Sequence, residues 1–203
     1  MNSIGDLQAQ YQSRRDQVLL PTITALEKLI IDLCRECVHI DRIAVRAKST
    51  ESFIKKALQT DNGCPKYSDP LNQIQDQIGA RIVVFYLSDV DILTKWIKGY
   101  FSRIEEKDVV LERATEFGYE GKHFIFFLPK EIKISGQIGP NFFEMQIVTL
   151  FQHAWGEANH DLAYKPKTEL NFEQHKKVAF TAAQTWGVDK IFDELAHELL
   201  NNE

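Results

Sequence analysis

The chain has 203 residues, 44 % of them hydrophobic, which suits one globular domain with a sizeable core. A formal net charge of -5 argues against a global electrostatic grip on nucleic acid and leaves room only for a local basic cleft. No apolar run approaches the ~18 residues needed to span a bilayer, and the opening stretch, "MNSIGDLQAQYQSRRDQ", has no apolar signal core. The expected setting is the cytoplasm, with neither a membrane nor DNA as partner.

Helical spacing runs through residues 4–37, interrupted near Pro21, with apolar positions at Ile23, Leu26, Ile30, Leu33 and Cys37. This N-terminal helical segment, 1–37, is expected to pack on the domain that follows, 38–203. Cys34 and Cys37 share a helical face. A structural zinc site takes about four ligands, usually from two such pairs, and no second pair exists, so both are read as core.

"VHIDRIAVRAKS" turns β-branched and reads as a strand, although its alternation slips between Val38–Ile40 and Ile43–Val45. A short helix from Thr50 to Leu58 follows, capped by Ser49 or Thr50. "TDNGCPKYSDP" has the composition of a loop. "GARIVVFYL" is a continuous apolar run and predicts a buried strand. "SDVDILTKWIKGYF" predicts a helix with Ser88 or Asp89 as cap; "KDVVLER", "KHFIFFLP" and "FFEMQIVT" predict strands, the last after a turn at "GQIGPN". "LFQHAWGEANHDLAYK" and residues 170–201 close the chain as helices. The order predicts one α/β (α+β) domain with a mixed sheet and flanking helices.

The polar residues fall on definite sides. Glu144 and Gln146 share one strand face with Phe142, either as a solvated surface or as the floor of a site. His153, Glu157, His160 and Tyr164 share one helix face, opposite Phe151, Ala154, Trp155, Ala158 and Leu162. Two histidines and a glutamate suit zinc, but the spacing differs from the metalloprotease helix, and a polar stripe facing a cleft is the alternative. Asp76 and Arg81 stand at the start of the buried strand. They pair with each other, or they hold a metal–phosphate complex, the acid on Mg²⁺ and the arginine on phosphate. Arg46, Lys48, Lys55 and Lys56 add positive charge suited to a triphosphate, and neither a P-loop nor a G-x-G-x-x-G fingerprint occurs. Tyr119, between Gly118 and Gly121, is either a turn aromatic or a ring on which a base stacks.

The series "RAKSTESFIKK", "DQIGARIVVFY", "GYEGKHF", "FEMQIVTLFQHAWGEANHDLAYK" and "VDKIFDEL" resembles the RelA/SpoT-type synthetase domain, and within it the small stand-alone alarmone synthetases (GTP pyrophosphokinases). The resemblance covers residues 38–200. It implies a polymerase-β-like nucleotidyltransferase fold with a sheet of about five strands. It also implies Mg²⁺-dependent transfer of the β,γ-pyrophosphate of ATP to the 3′-hydroxyl of an acceptor, usually GDP or GTP, giving (p)ppGpp and AMP. Carried over by motif, Arg46, Lys48, Lys56 and Arg81 bind ATP. Asp76 and Glu144 are catalytic and hold the metal. Tyr119, His123, Gln146, His153, His160 and Lys165 line the acceptor side.

Two departures bear on the acceptor. The family loop reads G-Y-R-S-x-H, and here Glu120 and Gly121 replace the arginine and serine; its strand reads E-x-Q-I-R-T, and here Val148 replaces the arginine. An adenosine nucleotide or the 3′ end of tRNA, as in toxin relatives that work with an antitoxin partner, is therefore the second acceptor reading. Arg14, Arg15, Lys130, Lys133, Lys165 and Lys167 are the candidate basic track for tRNA. The rival from another class is a catalytically silent nucleotide-binding regulatory module. The apolar residues of the last helix, among them Phe180, Trp186, Ile191 and Leu199, predict a homo-oligomer, or else packing of that helix on residues 4–37.

Overall fold

A computed structural model describes residues 3–107, 121–132, 139–164 and 170–200. Helix α1 spans Ile4–Arg14, held at its start by a capping box between Ser3 and Asp6. A π turn, Arg15–Leu19, links it to α2, Leu20–Leu33, with Pro21 in its first turn. Proline has no N–H and its ring conflicts with the carbonyl four residues back, and the widened turn accommodates both. The helix stops at Leu33 rather than at residue 37, so Cys34 is its C-cap and Cys37 lies beyond it. Cys34 is buried in the core, and burial pushes its thiol up to about 11.

Strand β1, Ile40–Ala47, begins two residues later than the sequence pattern suggests; Val38 lies outside it and is 82 % exposed. The slip in alternation is real. The register against β4, Ile78–Val84, shifts between Ile40 and Arg42. Between them lie α3, Thr50–Ala57, capped by Ser49, and the short helix α4, Pro70–Gln73. The expected loop contains a two-residue hairpin, β2 (Thr60–Asp61) and β3 (Cys64–Pro65). Its turn residues Asn62 and Gly63 have φ of 50° and 79°, as a primed hairpin turn requires.

Helix α5 spans Leu87–Tyr100. Neither Ser88 nor Asp89 caps it: the N-cap is Tyr86, and the Ser88 N–H donates to Asp193 Oδ1 at 2.8 Å. The cap therefore comes from the last helix. Strand β5, Arg103–Lys107, precedes the expected "KDVVLER" strand, most of which lies outside the described residues. Strands β6 (Lys122–Phe127) and β7 (Phe142–Thr149) lie as expected. Helix α6, Leu150–Asn159, runs into a π turn, His160–Tyr164. Helix α7 spans Phe172–Leu200.

The main sheet is five-stranded and mixed, in the order β1-β4-β7-β6-β5, with β4 and β7 parallel and the other pairs antiparallel. One face carries Ile78, Ala80, Ile82 and Val84 of β4, Phe143, Met145 and Ile147 of β7, and Phe124 and Phe126 of β6. These join Tyr11, Leu26, Ile30, Phe53, Leu93 and Ile97 in one buried core. Tyr11 stacks on Phe53 at 3.7 Å and donates its hydroxyl to the Lys48 carbonyl at 2.9 Å. The first helix thus fixes the junction between β1 and α3. No helix among the described residues is long and apolar enough to cross a membrane.

Helix α7 packs on α5 and α6: Phe151 stacks on Phe192 at 5.7 Å, and Trp155 Nε1 donates to Thr181 Oγ1 at 3.2 Å. Much of α7 stays bare; Phe180, Ile191 and Leu199 are 63 %, 58 % and 73 % exposed. The apolar face of α6 is only partly covered, and Leu162 is exposed.

Candidate active site

The other sheet face holds the polar residues. The register sets Arg46 beside Gly79 and Gly79 beside Glu144 in one row. The next row is Ala44, Arg81, Gln146 and His123. Strand alternation sends all of these side chains to the face away from the core. Gly79 has open space where a Cβ would stand, so the row has a gap between Arg46 and Glu144.

A cleft of about 560 Å³ opens over these rows, lined by Arg42, Arg46, Lys48, Ser52, Asp76, Arg81, Glu144, Gln146, His153 and His160 among others. A second chamber of about 440 Å³ adjoins it, sharing Arg46, Arg81, Gln146, His153 and His160 and adding Gly121, His123, Val148 and Trp155. The shared residues make the two chambers one continuous site.

Asp76 is held by two lysines. Its Oδ2 accepts from Lys48 Nζ at 2.8 Å and from Lys56 Nζ at 2.9 Å. Burial alone would raise its pKa, but the two ammonium groups outweigh it and hold the carboxyl below the usual range. Its Oδ1 is buried and has no hydrogen-bond partner among the described residues. Glu144, on the next strand, has His123 Nδ1 at 3.9 Å.

Arg81 is the second hub. Its Nε donates to Gln146 Oε1 at 2.8 Å, and one terminal nitrogen lies 2.8 Å from His153 Nδ1 and donates to Glu157 Oε1 at 2.6 Å. Burial, then the neighbouring guanidinium, lowers the pKa of His153. The Arg81 hydrogen bond lowers that of Glu157. Asp76 and Arg81 therefore serve separate networks. The helix stripe converges on a guanidinium: His153 and Glu157 both face Arg81.

A profile of the region found in RelA/SpoT proteins matches residues 45–169. The chain belongs to the RelA/SpoT family. Among solved structures it is similar to a GTP pyrophosphokinase family protein from Streptococcus pneumoniae, with 22 % identity, 94 % of each chain covered and a TM-score of 0.74. It is similar to small alarmone synthetase 1 from Bacillus subtilis bound to its product pppGpp, with 22 % identity, 93 % of this chain and 98 % of that one covered, and a TM-score of 0.73. The same Bacillus protein bound to AMPCPP gives 20 % identity, 94 % and 98 % coverage and a TM-score of 0.69. At these identities the likeness speaks for the fold. No curated protein matches the sequence.

Of the residues expected in this RelA/SpoT site, Arg46, Lys48, Asp76, Arg81, Glu144, Gln146, His153 and His160 line the first chamber, and His123 joins them in the second. Lys56 enters through Asp76. Tyr119 and Lys165 lie outside the described residues. Glu157, which the sequence offers only as a member of the His153–His160 stripe, bonds Arg81 and lines the second chamber. Arg14 of the candidate basic track is engaged elsewhere, bonded to the Leu71 carbonyl and Gln77. The two departures from the family pattern touch each other. A Cβ on Gly121 would lie 2.4 Å from Val148 Cγ1 and 2.6 Å from the Ile147 carbonyl oxygen.

Proposed function

We propose that the chain transfers the β,γ-pyrophosphate of ATP to the 3′-hydroxyl of a guanosine nucleotide, GDP or GTP, giving AMP and a 3′-pyrophosphorylated product. The observation that carries this reading is the joined pair of chambers, cationic at one end and bordered at both by Glu144 or its neighbours. Arg42, Arg46, Lys48 and Lys56 suit a triphosphate in the first chamber. The acceptor would enter the second, past His123, Gln146, His153 and His160.

The residues present fit Mg²⁺. The unpartnered, buried Oδ1 of Asp76 is a hard oxygen donor facing phosphate-binding cations, and Glu144 is a second carboxylate on the same cleft. Bound there with ATP, Mg²⁺ would neutralise phosphate charge. Glu144 would take the proton of the attacking hydroxyl. Lys48 and Lys56 would turn from Asp76 to the phosphates, and Arg46 would face the charge that builds on the departing AMP. Arg81, oriented by Gln146 and Glu157, would hold the pyrophosphate between the chambers.

A second acceptor reading rests on Val148, which lines the second chamber where the family pattern has an arginine. It supplies no charge for a 5′-polyphosphate, which leaves room for an adenosine nucleotide or a tRNA 3′ end as acceptor. The bare face of α7 supports a homo-oligomer, and an antitoxin is the alternative occupant for a toxin-type enzyme. The cytoplasm supplies ATP and all of these acceptors. The test is incubation with γ-labelled ATP, Mg²⁺ and, separately, GDP, GTP, ADP and deacylated tRNA. Label on the guanosine nucleotides with release of AMP is expected. Label only on adenosine nucleotides or tRNA would replace the acceptor and keep the chemistry, and no AMP with any acceptor would leave the silent module.

A further inference from the structure

A third cavity lies at the end of β1 and β4 away from Asp76 and Glu144, on Ile40 and Val84. It holds about 330 Å³ and is lined by residues from the turn after α2, the entry to β1, the end of β4, the first half of α5 and the last turns of α7. Val83 borders the active-site cleft and its neighbour Val84 borders this cavity, so along β4 the two lie on opposite faces of the sheet. The two cavities share no lining residue.

Its walls are apolar and aromatic. Tyr86 stands edge-on to His39 at 5.0 Å, and Ile92, Trp96 and Leu200 complete the wall. Trp96 and Leu200 remain 46 % and 54 % exposed, so the fold leaves apolar surface uncovered here. The charged lining is acidic, with Glu36 and Asp89 and neither lysine nor arginine among the described lining residues. His39 Nδ1 lies 3.3 Å from both carboxylate oxygens of Asp89 and hydrogen-bonds Oδ1. Asp89 Oδ2 is buried without a hydrogen-bond partner among the described residues. Burial, then Asp89 and Glu36, raises the pKa of Cys37 in the same wall, in keeping with a negative local potential.

An acceptor oxygen buried without a donor is costly. A flat apolar group fits the volume and the aromatic walls, and an ammonium or amidinium supplies the missing donor and charge. We propose that this cavity is a second ligand site, separate from pyrophosphate transfer, for a small aromatic organic cation. The ring lies between Tyr86, Trp96 and Leu200, and the cationic head bonds Asp89 Oδ2 with Glu36 nearby. Helix α7 forms one wall and, through Asp193, also bonds the first turn of α5, so a bound ligand also bridges the two helices.

The test uses the full chain and two probes with the same ring, tryptamine and indole-3-propionate, followed by calorimetry and by the Trp96 indole N–H resonance, assigned with Trp96→Phe. Tryptamine should bind saturably and shift that resonance, and indole-3-propionate should bind at least about tenfold more weakly. Asp89→Asn should weaken tryptamine about tenfold and leave pyrophosphate transfer unchanged. Glu36→Gln, at the exposed rim, should weaken it less. Equal affinity for the two probes, an unmoved Trp96 resonance, or unchanged tryptamine affinity in Asp89→Asn would overturn the proposal.

Discussion

Lys56→Ala probes how the resting site stores its charge. Lys56 and Lys48 both bond Asp76 Oδ2 in the free protein, and in the proposed reaction both face the triphosphate. A hydrogen bond to a charged group is worth ~1.5–3 kcal/mol net. If Lys56 were idle in the free enzyme, its removal would cost ATP binding all of that, roughly 10- to 150-fold. Because it must first leave Asp76, ATP should lose only the difference between two such bonds, about 3- to 10-fold. The rest should surface elsewhere. The free protein should lose about 1 kcal/mol of stability, discounted for the partial exposure of the pair. Mn²⁺ without nucleotide should bind more tightly than to the parent, since Asp76 keeps only one ammonium. Equilibrium dialysis of a non-hydrolysable ATP analogue, urea melts and the electron spin resonance signal of free Mn²⁺ read the three quantities. A loss of ATP affinity beyond about 100-fold, with stability and nucleotide-free Mn²⁺ binding unchanged, would refute the exchange of partners.

His153 holds its proton less firmly than an ordinary histidine because of burial and Arg81. The unfolded chain therefore binds the proton first, so stability is full above the ordinary value of 6.5 and falls as pH drops below it toward the folded value; urea melts on either side of that value should show the slope, and His153→Gln should flatten it. Gly121→Ala should cost about 1–3 kcal/mol by overpacking, read as a lower Tm, and Val148→Ala should restore only part, because the Ile147 carbonyl oxygen still meets the new Cβ. Light scattering at micromolar protein should give a mass above that of one chain, and Ile191→Lys with Leu199→Lys on the bare face of α7 should lower it.

The strands and the residues they carry were legible in the sequence because alternation assigns each side chain a face. Glu144 and Gln146 could be placed on one strand face from their spacing alone, whereas Arg81 joins them only through the pairing of β4 with β7. Even the break between Ile40 and Ile43 was visible as a slipped pattern, and it is the register shift against β4. Pairings between distant elements were not legible. Asp193 caps α5 from 105 positions away, Glu157 reaches Arg81 from 76 positions away, and Lys56 meets Asp76 across a hairpin that read only as loop. Ser88 and Asp89 had the right chemistry for a cap, but tertiary packing supplied another donor–acceptor pair. The helix end at Leu33 was missed because Cys34 and Cys37 continue the apolar spacing after the backbone has left the helix. The contact of Gly121 with Val148 joins two departures that looked independent, since only the pairing of β6 with β7 brings them together.

The central claim is that this site moves a pyrophosphate intact. Phosphorus NMR of the products from ATP and GDP tests it most directly, with Glu144→Gln as the matched control. The account predicts AMP and a 3′-pyrophosphorylated nucleotide in equal amounts, with the β–γ bond of the donor preserved, and turnover several decades lower in Glu144→Gln. Appearance of ADP with a singly phosphorylated acceptor, or near-normal turnover in Glu144→Gln, would contradict it.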